Sequence, residues 1–133
     1  MKWHEQALLF LEKAQEDVYA MEKLAADTDA PDAVIGFHAQ QAVEKILKAV
    51  LTENQVLLQR HHDLMLLIDL LQQNKIKFPA EWEEIVELTP FAAEYRYGRL
   101  PAESDESEYF DREKALSLVR EIRQWAESRV KPH

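Results

Sequence analysis

Hydrophobic residues recur along this chain at spacings of three and four and almost nowhere in strict alternation. Trp3, Ala7, Phe10, Leu11, Ala14, Val18, Met21, Leu24 and Ala25 trace one stripe, the pattern of an amphipathic helix of about six turns. The run Asp27-Thr28-Asp29-Ala30-Pro31-Asp32 interrupts it. Proline suits only the first turn of a helix, so a second helix is predicted to start near Pro31 and to run to about Glu53. At about 100° per residue, Ile35, Ala39, Ala42, Val43, Ile46, Leu47, Ala49 and Val50 share one broad arc. The opposite arc carries His38, Gln40, Gln41, Glu44, Lys45 and Lys48, with Val34, Phe37 and Leu51 among them. The first arc reads as a core side whose small residues permit close helix approach. The second is rich in amides and cations.

After a loop from Asn54 to His61, a third helix of roughly three turns is predicted, with His62 or Asp63 at its start and a buried stripe of Leu64, Leu67, Ile68 and Leu71. The stretch from Asn74 to Phe78 is a connection. Pro79 opens a fourth predicted helix through Trp82, Ile85, Val86, Leu88, Phe91, Ala92 and Tyr95, which Pro90 should kink or split. Gly98 reads as its left-handed cap. The acidic run from Arg99 to Tyr109 reads as an exposed loop. Asp111 is a plausible N-cap for a fifth helix with Ala115, Leu118, Val119, Ile122, Trp125 and Ala126 on one side. The expectation is an all-α, up-and-down bundle of about five helices forming one domain over residues 1–133.

Composition narrows the picture. Two glycines and five prolines among 133 residues suit a few long helices better than many short strands. The absence of cysteine removes disulfides, thiol catalysis and cysteine-ligated zinc. No leader-type apolar region follows the charged start, and no apolar run approaches the ~18 residues of a membrane span, so a cytoplasmic protein without a membrane partner is expected. The formal charge of −9 opposes any global attraction to nucleic acid, and a phosphate site would have to be a local cluster of cations.

Several chemistries are missing. Two glycines cannot form a dinucleotide fingerprint, and there is no phosphate-binding GxxxxGK[ST] loop, no HExxH and no GxSxG. His61-His62-Asp63 could attract a metal, but adjacent side chains diverge on a helix, so no metal site or cofactor is expected.

The run Phe37-His38-Ala39-Gln40-Gln41-Ala42-Val43-Glu44-Lys45-Ile46-Leu47-Lys48-Ala49 resembles the signature helix of the HEPN family, the higher eukaryote and prokaryote nucleotide-binding domains. His62-Asp63-Leu64 is similar to the family's HDL opening of the next helix, and Tyr95-Arg96-Tyr97 to its RY element. Trp3, Ala7, Ala14 and Asp17 match the usual first helix. The resemblance implies a helical bundle, commonly a homodimer, often encoded beside a minimal nucleotidyltransferase in two-component or toxin–antitoxin modules. Many other members are metal-independent ribonucleases that use arginine, four to six residues, then histidine. No arginine here has a histidine at that distance; Arg129 and His133 are separated by only three residues. A nucleotidyltransferase core, Gly-Ser followed by paired acids, is also absent.

The candidate ligand-binding residues are Gln41, Lys45, Lys48, His62, Asp63, Arg96 and Tyr97, and no catalytic residue is expected. Gln41, Lys45 and Lys48 fall within about 60° of one helix face and could offer donors to phosphate. The plainer reading is a solvated face on which Glu44 and Lys48 form an i,i+4 pair. Asp63 and His62 could meet a base or phosphate, or simply cap a helix. Arg96 has the planar fork that suits phosphate, or could pair with one of many acids such as Glu44. Tyr97 could stack on a base or be half-buried core. His38 could serve as a ligand group or as a satisfied polar residue at an interface. Three functions therefore stand: a non-catalytic nucleotide- or substrate-binding partner of a minimal nucleotidyltransferase, with a nucleotide or RNA as the ligand; a ribonuclease toxin with an atypical site; and a ligand-free interaction or dimerisation module. The missing Arg–His motif ranks the first above the second, and nothing in the sequence separates the first from the third.

Overall fold

Ala7, Ala14, Val18 and Met21 are fully buried along one side of helix α1 (Trp3–Ala25), as their spacing requires. Helix α2 (Asp32–Glu53) starts directly after Pro31, and α3 (Leu64–Gln73) follows. A 3-10 helix spans Ala80–Leu88, and α4 spans Arg112–Val130. The computed structural model describes residues 2–58, 63–88 and 111–130, and it contains no strand among them. The protein is all-α.

Side-chain contacts fix the directions of three helices. His4 meets Glu53 while Asp17 meets His38 and Lys45, so α1 and α2 are antiparallel. Arg112, Arg120 and Arg123 of α4 reach Asp32, Glu22 and Gln15 in that order. Thus α4 runs antiparallel to α1 and parallel to α2. Helix α2 packs against every other element and is the centre of the bundle. Its buried residues include Ile35, Ala39, Ala42, Val43, Ile46, Leu47, Ala49 and Val50, the whole arc expected of it. They merge with Leu64, Leu67, Ile68 and Leu71 of α3 and with Ala115, Val119, Ile122, Ala126 and Val130 of α4 into one core. Phe78, Trp82 and Trp125 close one side of that core edge to face, with ring centroids 5.4 to 6.2 Å apart.

Two expectations need correction. The fourth helix is not an α-helix where it is described but a 3-10 helix, opened by a bond from the Trp82 amide to the Pro79 carbonyl. A three-residue repeat keeps Trp82 and Ile85 on one edge, and Ile85 is the residue there that reaches the core. The second is the reading of the polar arc of α2 as a solvated face. Gln40 is 1% exposed and Glu44 5%, and Leu51 is fully buried. A central helix has neighbours on nearly all sides, so its polar residues must be satisfied inside the protein. The kink at Pro90, the cap at Gly98 and the loop from Arg99 lie outside the described residues.

Helices α2 and α3 end in the same way. Asn54 and Asn74 cap them, Gln55 and Lys75 take left-handed φ values of 61° and 62°, and the amides of Val56 and Ile76 return to the carbonyls of Leu51 and Leu71. This is the Schellman geometry, normally given to glycine. Replacing Lys75 with glycine is expected to raise stability by roughly 0.5–1 kcal/mol, the Cβ penalty less the entropy of glycine, and urea unfolding would measure it.

Arg112 joins the two ends of the chain. Its guanidinium donates to Asp32 Oδ1 at 2.8 Å and to the carbonyls of Ala30 at 2.6 Å, Asp27 at 2.9 Å and Ala25 at 3.3 Å. The α1–α2 turn thus places three carbonyls and the Asp32 carboxylate around one planar fork. Arg112→Ala is expected to cost about 1.5–3 kcal/mol, the range for charged hydrogen bonds. Lysine should not restore the loss, since one ammonium cannot span these acceptors; full recovery in Arg112→Lys would argue against the role.

Candidate functional site

Asp17 sits on the buried stripe of α1, one turn past Ala14 and beside Val18. A carboxylate there needs partners, and α2 supplies two. Lys45 Nζ donates to its Oδ2 at 2.6 Å, and His38 Nδ1 lies 3.0 Å from its Oδ1. An ionised carboxylate only accepts, so the imidazole proton is on Nδ1. The other ring nitrogen, Nε2, has no hydrogen-bond partner among the described residues and is an acceptor in the neutral ring.

A second chain of bonds runs along α2 itself. Gln41 Nε2 donates to Gln40 Oε1 at 2.7 Å, Gln40 Nε2 to Glu44 Oε1 at 3.1 Å, and Lys48 Nζ to Glu44 Oε2 at 2.8 Å. The bonds fix which end of each amide donates. Together the two chains form a polar seam along α2, tied to α1 at Asp17.

The seam is not fully closed. The side chains of Lys45 and His38 are 31% and 25% exposed, whereas those of Asp17 and Glu44 are 12% and 7%. Lys48, at 13%, is as enclosed as the carboxylates, so Lys45 and His38 are the members that lie nearer the surface. Charges in the seam balance, two carboxylates against two ammonium groups. Such pairs add little net stability compared with apolar packing, but they hold long side chains in one geometry. Chemically, the seam offers ammonium donors, an amide and an oriented imidazole acceptor along one edge.

The structure therefore brings Gln41, Lys45 and Lys48 together as their spacing implied. Asp63 takes the other role considered for it: its carboxylate accepts from the Met65 amide at 2.9 Å and caps α3. No hydrogen bond or ion pair joins it to the seam among the described residues. His62, Arg96 and Tyr97 lie outside the described residues. Sequence reasoning left Asp17, Gln40 and Glu44 out of the site. The available signal was an acid placed on the apolar stripe of α1, which implies a cationic partner on the helix packed against it. Among the described residues, no group of three His, Asp or Glu side chains is placed to hold a metal ion. No described helix is long and apolar enough to cross a membrane.

Comparison with known proteins sets this geometry in context. A Methanocaldococcus jannaschii protein named "Putative toxin MJ1304" is 42% identical over 55 residues, which cover 41% of this chain and 35% of that protein. The matched stretch spans about a third of that relative's length. No solved structure matches the chain significantly. The HEPN domain model matches residues 7–129, from the first buried alanine of α1 to the penultimate residue of α4, and so takes in the seam and every helix that frames it. The chain belongs to the HEPN domain family.

Proposed function

We propose that this protein is a nucleotide- or RNA-binding HEPN module of the toxin–antitoxin type, a homodimer that works in the cytoplasm beside a minimal nucleotidyltransferase and performs no chemistry alone. The observation that carries the reading is the seam, where carboxylates held inside the bundle position Lys45, Lys48 and His38 along a partly open edge. The family match and the name of the Methanocaldococcus relative support the module type. Both ammonium groups already face carboxylates, so a phosphate bound there is better held with one more cation. Arg96 of the RY element is the candidate, a role that comes from the family resemblance. The missing Arg–His spacing and the missing nucleotidyltransferase core support a partner in place of intrinsic catalysis.

The test is titration of ATP, GTP and a short RNA against the wild-type protein and Arg96→Ala. Weak binding is expected that falls as salt rises, because exposed charges are screened within about 10 Å at 0.1 M. Arg96→Ala should lose most of it. Absence of binding at millimolar ligand, about −4 kcal/mol, would replace this reading with the ligand-free module. Lys45→Ala with Lys48→Ala takes a cation from both Asp17 and Glu44, so its folded state must be checked alongside. Sedimentation at tens of micromolar, roughly the range that detects ordinary association, should show a dimer.

One observation favours a second reading. An imidazole held by a carboxylate is also an arrangement suited to proton transfer. Incubation with single-stranded RNA without metal is expected to give no cleavage. Cleavage that disappears in His38→Ala or Arg96→Ala would make the protein a ribonuclease with an atypical site.

A further inference from the structure

We infer that His38 is a specificity-determining residue that selects ribose over deoxyribose, by accepting a hydrogen bond from a 2′-hydroxyl whose neighbouring phosphate lies on Lys45. The inference rests on the nucleotide-binding reading above and specifies its ligand.

The seam presents two different faces to a ligand, and their order is fixed by Asp17. One carboxylate oxygen takes Lys45 Nζ and the other takes His38 Nδ1. The ammonium and the imidazole are therefore held side by side, a carboxylate's width apart. Nζ retains two further protons to donate. In the neutral ring, with Nδ1 donating to Asp17, Nε2 can only accept. The complementary ligand must pair an anion with a hydrogen-bond donor a few ångströms away.

A phosphate oxygen alone satisfies the ammonium but repels the Nε2 lone pair. A deoxyribose offers no donor beside its phosphate. A ribose 2′-hydroxyl adjacent to a 3′-phosphate supplies both, and this hydroxyl is the group by which a protein separates RNA from DNA at a given site. Lys45 is nearly a third exposed and His38 a quarter, so a strand lying along the seam can reach both, while Asp17 stays behind them. The ring also meets Phe37 edge to face, with centroids 5.4 Å apart, while an asparagine would keep a donor to Asp17.

The experiment compares ribo-, deoxyribo- and 2′-O-methyl oligonucleotides of one sequence, with ATP and dATP as free-nucleotide arms. The proteins are wild type and His38→Asn. Asparagine keeps an N–H near the Nδ1 position for Asp17 but removes the outward acceptor. Wild type should prefer the ribo-oligonucleotide about five- to tenfold over the other two, the range of one net hydrogen bond. His38→Asn should bind all three equally, near the wild-type deoxy level. ATP has no phosphate on the carbon next to its 2′-hydroxyl, so an ATP-over-dATP preference as large as that of the oligonucleotides would overturn the inference, and its absence would support an RNA strand.

Equal affinities in wild type, or a preference that persists in His38→Asn, would overturn the inference while leaving nucleotide binding intact. Failure of every probe to bind would overturn both readings. A readout independent of ligand is the ¹⁵N spectrum of His38, which should show a protonated Nδ1 and an unprotonated Nε2. The opposite tautomer would overturn the inference whatever binds.

Discussion

Lys45→Ala should cost more stability than Asp17→Ala, about 2–4 against about 1–2 kcal/mol, although the two residues share one ion pair. The difference follows from burial. Losing Lys45 leaves a nearly buried carboxylate with only the His38 imidazole beside it. Losing Asp17 leaves an ammonium that is nearly a third exposed and can hydrate. Removing the charges together, as Asp17→Asn with Lys45→Met, should return stability to within about 1 kcal/mol of wild type, because neutral groups carry no desolvation cost. Urea unfolding of wild type, Lys45→Ala, Asp17→Ala and the Asp17→Ala/Lys45→Ala double variant at one protein concentration closes the cycle, with an expected coupling of at least about 1 kcal/mol. A coupling near zero would mean that the pair is not formed in solution.

Leu47→Ala should be the most damaging of the single truncations considered, at about 2–5 kcal/mol. Leu47 is fully buried on the central helix, where α1, α3 and α4 leave little freedom to collapse into the space. Leu9→Ala is the control. Leu9 is 47% exposed on α1, and its truncation should stay within about 0.5 kcal/mol of wild type. Thermal or urea midpoints for the two variants would suffice. Equal losses would mean that the faces of α1 or α2 are wrongly oriented.

The core was readable from the chain because periodicity reports which positions face a neighbour. The stripe Leu64, Leu67, Ile68 and Leu71 is buried as expected, and Asp63 and Asp111 both cap helices through their carboxylates. The 3-10 helix was less readable. Trp82 and Ile85 lie three apart, which both helix types place on one side over a single turn, so pattern alone cannot separate them.

The site was half readable for a related reason. Spacing put Gln41, Lys45 and Lys48 together, but a single helix says nothing about how many neighbours it has. Gln40 and Glu44 were assigned to water because a two-sided helix would put them there. In a helix packed on nearly every side, the same residues become internal hydrogen-bonding groups. Asp17, 28 residues from Lys45 along the chain, was tied to it only by the pairing of two antiparallel helices.

The Arg112 clamp has a consequence for the order of assembly. The α1–α2 turn carries its acceptors at Ala25, Asp27, Ala30 and Asp32, yet the donor lies 80 to 87 residues downstream. A ribosome adding about 5–20 residues per second makes that interval last roughly 4 to 17 s. For that time the emerging hairpin carries its seam along α2 but an unclamped turn. The nascent chain should therefore hold the seam in a form open at one end, accessible to a ligand or a chaperone before the last helix arrives to lock it.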